Sequence, residues 1–354
     1  MTPILAGTKD ACLQPRAERA GQDAPASRPR WTVKEVFALV RSDLQEVEKE
    51  LALQGSGAIP PVAQISQYLQ AGGGKRLRPA LLLLSSKFCG YEGPAAVPLA
   101  AVMELLHSAT LIHDDVIDKA EMRRGRPSIN RRWGNHLSVL AGDWLYMQAF
   151  SMALEERNFK ILDLLIELTQ AMVEGELLQF NGLRRADTTE EQYFDLAYRK
   201  TACLFSACLR LGATLGAKRQ EEEDALAAYG LNLGLAFQLV DDILDFTSSE
   251  AKLGKPVGSD MREGKATLPF IYLLKRLPRD PARRIARAFE RGEFPDALFA
   301  EILELAKQSG ALEAAQAKAL ELAQRAKRRL EEFPESPYKD ALLSLPDFII
   351  ERES

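Results

Sequence analysis

Residues 97–118, VPLAAVMELLHSATLIHDDVID, form an apolar run with helical spacing that ends in carboxylates. The run is interrupted by Glu104 and His107, which favours a helix buried in a protein core over one that crosses a membrane. Side chains four apart share a helix face, so Asp114 and Asp118 should line up. His107, about two turns before Asp114, falls on the same face. The stretch therefore predicts a core helix with an acidic end.

A second segment repeats this design at residues 237–245, FQLVDDILD. Asp241, Asp242 and Asp245 have the same DDxxD spacing, again at the end of an apolar helical run. Gln238 precedes Asp241 by three residues and should share its face. One DDxxD alone would be a weak signal, whereas two copies after two core helices indicate a shared site.

The charges of both segments are unfavourable by themselves. Like charges at i and i+4 destabilise a helix, and carboxylates at a helix C-terminus meet the negative end of the dipole. Apolar residues such as Val116 and Ile243 fill the gaps where a solvated face would carry Lys or Arg. A cation must offset the six carboxylates. Mg²⁺, with Mn²⁺ as the alternative, suits a few carboxylates that act together with phosphate oxygens.

The rest of the sequence is also helical in pattern. Apolar residues recur at spacings of three and four, and strand-like alternation is hard to find. We predict an all-α protein with a single domain of about ten helices over residues 31–354, in which at least one helix is buried nearly all round. Residues 1–30, rich in Ala, Pro, Arg, Gln and Asp, are predicted to be a disordered extension. The helical segments are residues 36–51, 79–88, 97–118, 137–154, 161–180, 190–215, 222–246, 267–277 and 298–330.

Composition excludes several other classes of protein. The net charge is −4, with 46 basic and 50 acidic residues, which argues against a nucleic-acid partner. The four cysteines form no CxxC pair, so a zinc site or a disulfide framework is not expected, and a reducing cytoplasm fits best. No stretch resembles a transmembrane helix or a signal peptide. We expect a cytoplasmic protein that does not span a membrane.

Basic residues lie where loops could bring them to the carboxylates. Residues 72–79, GGGKRLRP, place Lys75 and Arg78 between a Gly run and a helix start, and Arg123 and Arg124 follow the first acidic cluster. Lys200 and Thr201 lie late in a long helix, while Lys255 and Lys265 follow the second cluster. Diphosphate groups bind to such cations and to N–H donors. We therefore interpret the pattern as one site for diphosphates.

These motifs resemble those of the trans-prenyl diphosphate synthase (polyprenyl synthetase) family. The resemblance covers roughly residues 36–345 and rests on GGGKRLRP, LIHDDVIDKAEMRRGRP and FQLVDDILDFTSSEAKLGKPVGSDMREGKATLP. It implies an antiparallel helical bundle of the isoprenoid synthase type around a central tunnel, usually as a homodimer. It also implies that an allylic diphosphate (geranyl, farnesyl or geranylgeranyl) is extended by isopentenyl diphosphate.

The resemblance assigns roles residue by residue. The metal ligands would be Asp114, Asp115 and Asp118 on one wall and Asp241, Asp242 and Asp245 on the other. The allylic diphosphate would be held or flanked by Arg123, Lys200, Thr201, Gln238, Lys255 and Lys265, with Lys200 and Lys255 in the catalytic set. The diphosphate of isopentenyl diphosphate would be held by Lys75, Arg78, His107 and Arg124.

Product length is predicted from the helix that precedes Asp114. In the family, a bulky aromatic at the fifth or fourth position before this aspartate closes the tunnel early, whereas here these positions are the small residues Ala109 and Thr110. Since Ala109 lies about 7.5 Å from Asp114 along the helix axis, we predict an all-trans product of about six to ten isoprene units. Such a membrane-seeking product would serve as a quinone side chain. The face is expected to continue through three apolar residues, Leu106, Leu105 and Val102.

Three alternatives remain open at this point. The product could be shorter, as in a geranylgeranyl or farnesyl diphosphate synthase. A class I terpene cyclase shares the fold and the first acidic motif, but it uses a different second motif and has no need of Lys75 and Arg78. A non-catalytic subunit tends to lose one acidic cluster, and both are intact here.

Overall fold

The computed structural model describes residues 31–56, 59–247 and 257–352, and its elements are helical apart from one short hairpin. The predicted extension, residues 1–30, and Lys255 lie outside the described residues. The first elements are α1 (Val33–Ala38), α2 (Arg41–Ser56), α3 (Pro60–Ala71), α4 (Leu77–Phe88), α5 (Ala96–Ile117), β1 (Met122–Arg123), β2 (Arg126–Pro127), α6 (Ile129–Trp133), α7 (Asn135–Glu155) and α8 (Phe159–Gly182). They are followed by α9 (Glu190–Ala197), a π-helical turn (Tyr198–Ala202), α10 (Cys203–Leu215), α11 (Gln220–Thr247), α12 (Ser259–Arg262), α13 (Leu268–Arg276), α14 (Arg279–Arg291), α15 (Asp296–Gln308), α16 (Ala311–Arg328) and α17 (Pro337–Ile350).

Helix α4 is buried on all sides. Every residue from 79 to 86 is buried, because α5 covers one side of the helix and α10 covers another. Its leucines contact these neighbours rather than water, as the long apolar run requires. The prediction of a helix buried nearly all round is therefore confirmed, and this helix forms the centre of the bundle.

The neighbouring helices form a wall around this centre. Helix α5 packs against α4 and α7, while α10 packs against α4 and α11. Helix α11 packs in turn against α16, and α8 contacts α7, α10 and the π-helical turn. A smaller apolar cluster lies among α13, α14 and α15, around Phe270, Phe289 and Ile302. This arrangement brings the C-terminal ends of α5 and α11 to one site.

Several element boundaries differ from the predictions. The segment 190–215 is interrupted by the π-helical turn, and 298–330 is divided where Gly310 adopts φ +72° between α15 and α16. Helices α3, α6, α12, α14 and α17 lie outside the predicted segments. Helices α6 and α12 are short, α14 carries many charged residues, and α3 and α17 contain prolines. Whether such segments form helices depends more on their tertiary contacts than on their own sequence pattern.

One described helix, α5, is long and apolar enough to cross a membrane. Within its most apolar window, 61% is buried inside the protein. The hydropathy of α5 is thus explained by its place in the core of the bundle.

Candidate active site

The two acidic motifs meet at one cavity of about 470 Å³, here called the main cavity. Asp114 and Asp118 reach it from α5, and Asp241 and Asp242 reach it from α11. Carboxylates from two helices and cations from a hairpin, a π-helical turn and a loop therefore share one space. The other predicted site residues that line it are Arg123, Lys200, Gln238 and Lys265.

The remaining two aspartates of the motifs face away from the main cavity. Asp115 is 1% exposed and accepts a hydrogen bond from Nε of Arg123 at 2.7 Å. Asp245 is fully buried and accepts from Oγ of Ser259 at 3.0 Å and from the N–H of Asp260 at 3.1 Å. In this structure Asp115 orients Arg123, and Asp245 fixes the start of α12.

A tight hairpin presents Arg123 to the carboxylates. Arg123 pairs with Arg126 across β1 and β2, and the two turn residues Arg124 and Gly125 both have positive φ, +51° and +73°. Positive φ at both positions is typical of a type I′ turn, which glycine adopts easily and arginine rarely. The structure therefore holds Arg124 in a strained conformation at the edge of the site.

The π-helical turn places Lys200 and Thr201 on neighbouring walls. Nζ of Lys200 lies 3.0 Å from Oε1 of Glu176 and 3.0 Å from Oε1 of Gln179, both on α8. Oγ1 of Thr201 donates to Oε1 of Gln238 on α11 at 2.6 Å. Single π-helical turns inside helices are frequent at functional sites. Here the turn lets two consecutive residues contact two different helices.

Lys265 links the loop after α12 to the first acidic cluster. Its Nζ lies 3.4 Å from Oδ2 of Asp118 and 2.7 Å from Oε2 of Glu263. Although burial opposes it, these carboxylates raise the pKa of Lys265, so the ammonium group stays charged. Lys265 is thus a fixed positive charge in the main cavity.

A second group of cations lies beside the main cavity. Nη1 of Arg78 contacts Nε2 of His107 at 3.0 Å, and Nε of Arg78 is buried without a hydrogen-bond partner among the described residues. Burial, followed by the charges of Arg78 and Arg124, lowers the pKa of His107 well below its usual value. Because arginine only donates, Nε2 of the neutral His107 must accept. An unused buried donor and a histidine surrounded by arginines indicate a place for an anion.

Arg352 connects the two groups, because it acts on both Lys75 and Asp241. The guanidinium of Arg352 lowers the pKa of Lys75, with partial burial as the next cause, while Asp241 acts in the opposite direction. Nη1 of Arg352 lies 3.8 Å from Oδ1 of Asp241, and its guanidinium carbon lies 5.1 Å from the ring centroid of Phe237. Two anion sites could therefore lie side by side.

The carboxylates of the main cavity fit a divalent cation. Burial raises the pKa of Asp114 to about 6, with Glu176 and Asp118 adding to the effect and Lys200 opposing it. Burial and the nearby Asp260 raise the pKa of Asp242 well above its usual range. Crowded carboxylates of this kind need protons or a cation, and oxygen donors suit Mg²⁺.

The same carboxylates do not enclose an ion by themselves. Within residues 31–56, 59–247 and 257–352, no three acidic, histidine or cysteine side chains converge closely enough to hold a metal. Mg²⁺ typically keeps several waters and is held by one or two carboxylates together with substrate phosphates. The facing walls therefore fit an ion that arrives with a diphosphate.

Sequence reasoning missed four residues of the main cavity or its immediate support. Tyr193 and Asp260 line the cavity, as does Gln179, and Glu176 contacts Lys200. The spacing of Glu176 and Gln179 in a largely apolar helix was a usable signal. Tyr193 gave no such signal, since it lies in a short capped helix after a polar loop.

Two of the three residues predicted to set product length are in the core, and the third, Thr110, is half-buried. Leu106 and Ala109 are fully buried, and Oγ1 of Thr110 donates to the carbonyl of His107. None of these three lines the main cavity. Leu105 lies nine residues, or about two and a half turns, before Asp114, so it faces the opposite side of α5 and lines a smaller cavity there. Leu106 and Ala109 therefore lie in the core beside the main cavity rather than in its lining.

Comparison with known proteins decides the family. The polyprenyl synthetase family model matches residues 59–306. The chain belongs to the polyprenyl synthetase family. It is 37% identical over 321 residues to the octaprenyl diphosphate synthase of Escherichia coli, and the match covers 91% of this chain and 99% of that protein.

Two further relatives of this polyprenyl synthetase are informative. It is also 37% identical over 324 residues to a short chain isoprenyl diphosphate synthase of Methanothermobacter thermautotrophicus, covering 90% of this chain and 99% of that one. A polyprenyl synthase of Caulobacter crescentus, solved with calcium and isoprenyl diphosphate, superposes with a TM-score of 0.87 at 36% identity, covering 92% and 100% of the two chains. The all-helical isoprenoid synthase fold predicted from the sequence is confirmed.

Proposed function

We propose that this polyprenyl synthetase condenses isopentenyl diphosphate head-to-tail with an allylic diphosphate in a Mg²⁺-dependent reaction. One observation carries the proposal. Asp114 and Asp118 share the main cavity with Asp241 and Asp242, and lysines lie among them. That combination suits a diphosphate bound through divalent cations and directly by ammonium groups.

The two substrates have separate sets of ligands in this proposal. Arg352 lies 3.8 Å from Asp241 and also lowers the pKa of Lys75, which supports adjacent binding of the two diphosphates and would bring the reacting carbons together. The allylic diphosphate is held in the main cavity by Arg123, Lys200 and Lys265, with Thr201 and Gln238 beside it and Lys255 retained as a predicted ligand. Isopentenyl diphosphate is held by Lys75, Arg78, His107 and Arg124.

Mg²⁺, when bound by the aspartates, would stabilise the negative charge of the departing diphosphate. Lys200, Lys265 and Arg123 contribute to the same stabilisation from fixed positions. The C–O bond of the allylic diphosphate breaks, and the double bond of isopentenyl diphosphate forms a C–C bond to the resulting allylic cation. A proton is then lost to the departing diphosphate. His107 stays neutral and positions Arg78. The bond changes described above need no nucleophile from the protein.

We propose a long product of about six to ten isoprene units, because α5 offers small residues, Ala109 and Thr110, within about two turns of Asp114. The octaprenyl relative supports this length. A short-chain relative is equally identical, so geranylgeranyl or farnesyl diphosphate remains the alternative product. Since Leu106 and Ala109 are buried and do not line the main cavity, a long product requires the growing chain to extend beyond this cavity into the core beside α5.

We further propose a homodimer formed through α7 and α8. Exposed apolar side chains form a stripe along these two helices, and a contiguous exposed apolar surface marks an interaction site. Because a two-fold interface uses the same patch on both copies, a second copy of this chain is a suitable occupant. The stripe consists of apolar side chains at seven-residue spacing along each helix, 45% to 79% exposed: Leu140, Met147, Leu154, Phe159, Ile166, Val173 and Phe180.

A cytoplasmic location is proposed from cysteine usage. Cys89, Cys203 and Cys208 are buried, and each is a free thiol within the described part of the chain. Free thiols of this kind suit a reducing compartment.

The proposed reaction is tested with the purified protein, labelled isopentenyl diphosphate and farnesyl diphosphate. Incorporation of label should require Mg²⁺ or Mn²⁺, cease in EDTA and return when Mg²⁺ is added. Chromatography of the dephosphorylated products gives the chain length. A cyclic hydrocarbon would indicate a terpene cyclase, and inactivity until a partner protein is added would indicate a non-catalytic subunit.

The proposed dimer is tested by light scattering on the wild type and on Met147→Glu. This variant places a charge in the apolar stripe and should weaken the dimer.

A further inference from the structure

A second cavity, of about 90 Å³, lies along a neighbouring face of α5, and it borders the main cavity at Leu111 and Arg123, which line both. We call it the rear chamber. Leu105, Ser108, Ile112 and Asp115 line it at spacings of three and four, which is one face of α5. Its apolar lining is completed from α2, α3 and α7 by Leu51, Leu69, Trp144 and Leu145.

The rear chamber shares one residue, Arg124, with the proposed site for isopentenyl diphosphate. Its lining includes neither Lys75, Arg78 nor His107. Nη1 of Arg78 contacts His107. Nη1 of Arg76 instead lies 2.6 Å from Oε1 of Glu104, and Arg76 and Glu104 both line the rear chamber. The start of α4 therefore directs one arginine toward each space.

Two cations at the rear chamber have no carboxylate partner among the described residues. Arg124 donates to the carbonyl of Gly73, and Arg126 donates to the carbonyl of Tyr68 at 3.3 Å. The guanidinium of Arg126 also lies 4.1 Å from the ring centroid of Tyr68. Both are held in place by neutral groups, so their charges remain available to an anion.

A buried hydroxyl in the rear chamber is unsatisfied. Ser66 is 6% exposed, and its Oγ forms no hydrogen bond with any described residue. A buried polar group without a partner is costly. One water needs only about 10–15 Å³ of this space, and the largely apolar walls offer few partners to a chain of waters. The chamber fits a small molecule with an apolar body and a polar end.

We propose that the rear chamber binds a second molecule of a short isoprenyl diphosphate. Its isoprene unit would lie among Leu69, Leu105 and Trp144, and its diphosphate at the mouth against Arg124 and Arg126. This inference rests on the proposed function for its ligand class. Because Arg124 also belongs to the substrate site, occupancy of the chamber draws it away, and a high concentration of isopentenyl diphosphate inhibits the enzyme.

Equilibrium dialysis with radiolabelled isopentenyl diphosphate, without an allylic substrate, counts the sites. We expect two equivalents for each wild-type chain and one for Ser108→Leu, which fills the chamber. Ser108→Ala, the matched control, keeps two. In turnover assays Ser108→Leu should lose the inhibition at high substrate while its rate at low substrate is unchanged. Thermal melting checks that the variant is folded.

Arg126→Gln tests the head-group contact without filling the chamber. It should also bind one equivalent, and Arg126→Lys should restore part of the second. One equivalent for the wild type, or two for both Ser108→Leu and Arg126→Gln, overturns the proposal. Equal competition by inorganic diphosphate at the second site also overturns it, since the apolar part would then not be recognised. If the proposed function itself were wrong, neither the wild type nor any variant would incorporate label. That result is distinguishable from failure of the rear-chamber proposal, in which label is incorporated but the second equivalent is missing.

Discussion

The hydroxyl of Tyr193 donates a 2.6 Å hydrogen bond to Oδ2 of Asp242. The other oxygen of this carboxylate accepts from Nε2 of Gln238 at 2.9 Å, and Gln238 in turn accepts from Thr201. Asp242 is 3% exposed, so these two donors fix its orientation. A tyrosine from α9 thus positions a proposed metal ligand on α11.

Tyr193→Phe should weaken metal binding while the protein remains folded. A hydrogen bond to a charged group contributes about 1.5–3 kcal/mol, so we expect a loss of roughly 10-fold or more in kcat. Binding of Mn²⁺ with inorganic diphosphate, followed by electron paramagnetic resonance, should weaken in parallel. Tyr91→Phe is the control, because its hydroxyl accepts from the N–H of Ala95 away from the main cavity. Unchanged Mn²⁺ affinity in Tyr193→Phe would contradict the positioning role.

Two aspartates of the second motif, Asp241 and Asp245, should have different effects on activity and on stability when they are replaced. Asp241→Asn removes a carboxylate of the main cavity and should lower kcat by about 100-fold with little change in melting temperature. Asp245→Asn weakens the contacts with Ser259 and Asp260, so it should lower the melting temperature as well. Calorimetry and steady-state kinetics on both variants make the comparison. Equal melting temperatures would argue against the structural role of Asp245.

The metal-free protein should be destabilised by ionised Asp114 at neutral pH. The folded-state pKa of about 6 lies above the ordinary value of 3.8, so folding favours the protonated form, and stability is lost as pH rises through 6. In EDTA, Asp114→Asn should therefore be more stable than wild type at pH 7.5, by up to about 3 kcal/mol, and the gain should shrink at pH 5. Urea unfolding at both pH values measures this. A gain that does not depend on pH would refute the explanation.

Gly175 allows α8 to approach the π-helical turn. A Cβ there would lie 2.8 Å from Cβ of Arg199, so Gly175→Ala should push the turn away and misplace Lys200. We expect lower kcat and weaker binding of the allylic substrate. Gly182→Ala in the same helix is the control, since its Cβ would meet no described atom within 4 Å. The idea fails if both variants have wild-type kinetics.

Ala109→Phe should shorten the product if the buried face of α5 borders the growing chain. The ring would stop elongation after a few units while the first condensation stays fast. Overpacking alone would cost on the order of 1–3 kcal/mol and lower all activity without changing product length. Product sizing beside wild type and Thr110→Phe separates these outcomes. A full-length product from both variants would remove the basis for the length prediction.

Helical spacing predicted a large part of the site. The i, i+4 rule placed Asp114 and Asp118 on one face, and both line the main cavity. It also placed Asp241 and Asp245 on one face of α11, but Asp245 is buried and accepts hydrogen bonds from Ser259 and Asp260 instead of lining the cavity. That cover comes from a different segment, so no local pattern could reveal it.

Contacts across the bundle account for what could not be predicted. The π-helical turn at Lys200 lies against Gly175 of α8, and the orientation of Asp242 depends on Tyr193 of α9. Neither relationship leaves a period in the sequence, because each joins residues from separate helices.

The fully buried helix α4 has a consequence for biosynthesis. Its leucines, Leu81 to Leu84, are covered by α5 and α10, and α10 is synthesised long after α4. While the nascent chain grows, this apolar segment has no finished partner and is prone to aggregation. Chaperone supply should therefore limit the yield of folded enzyme. In the finished protein the amide hydrogens of α4 should exchange with solvent among the slowest.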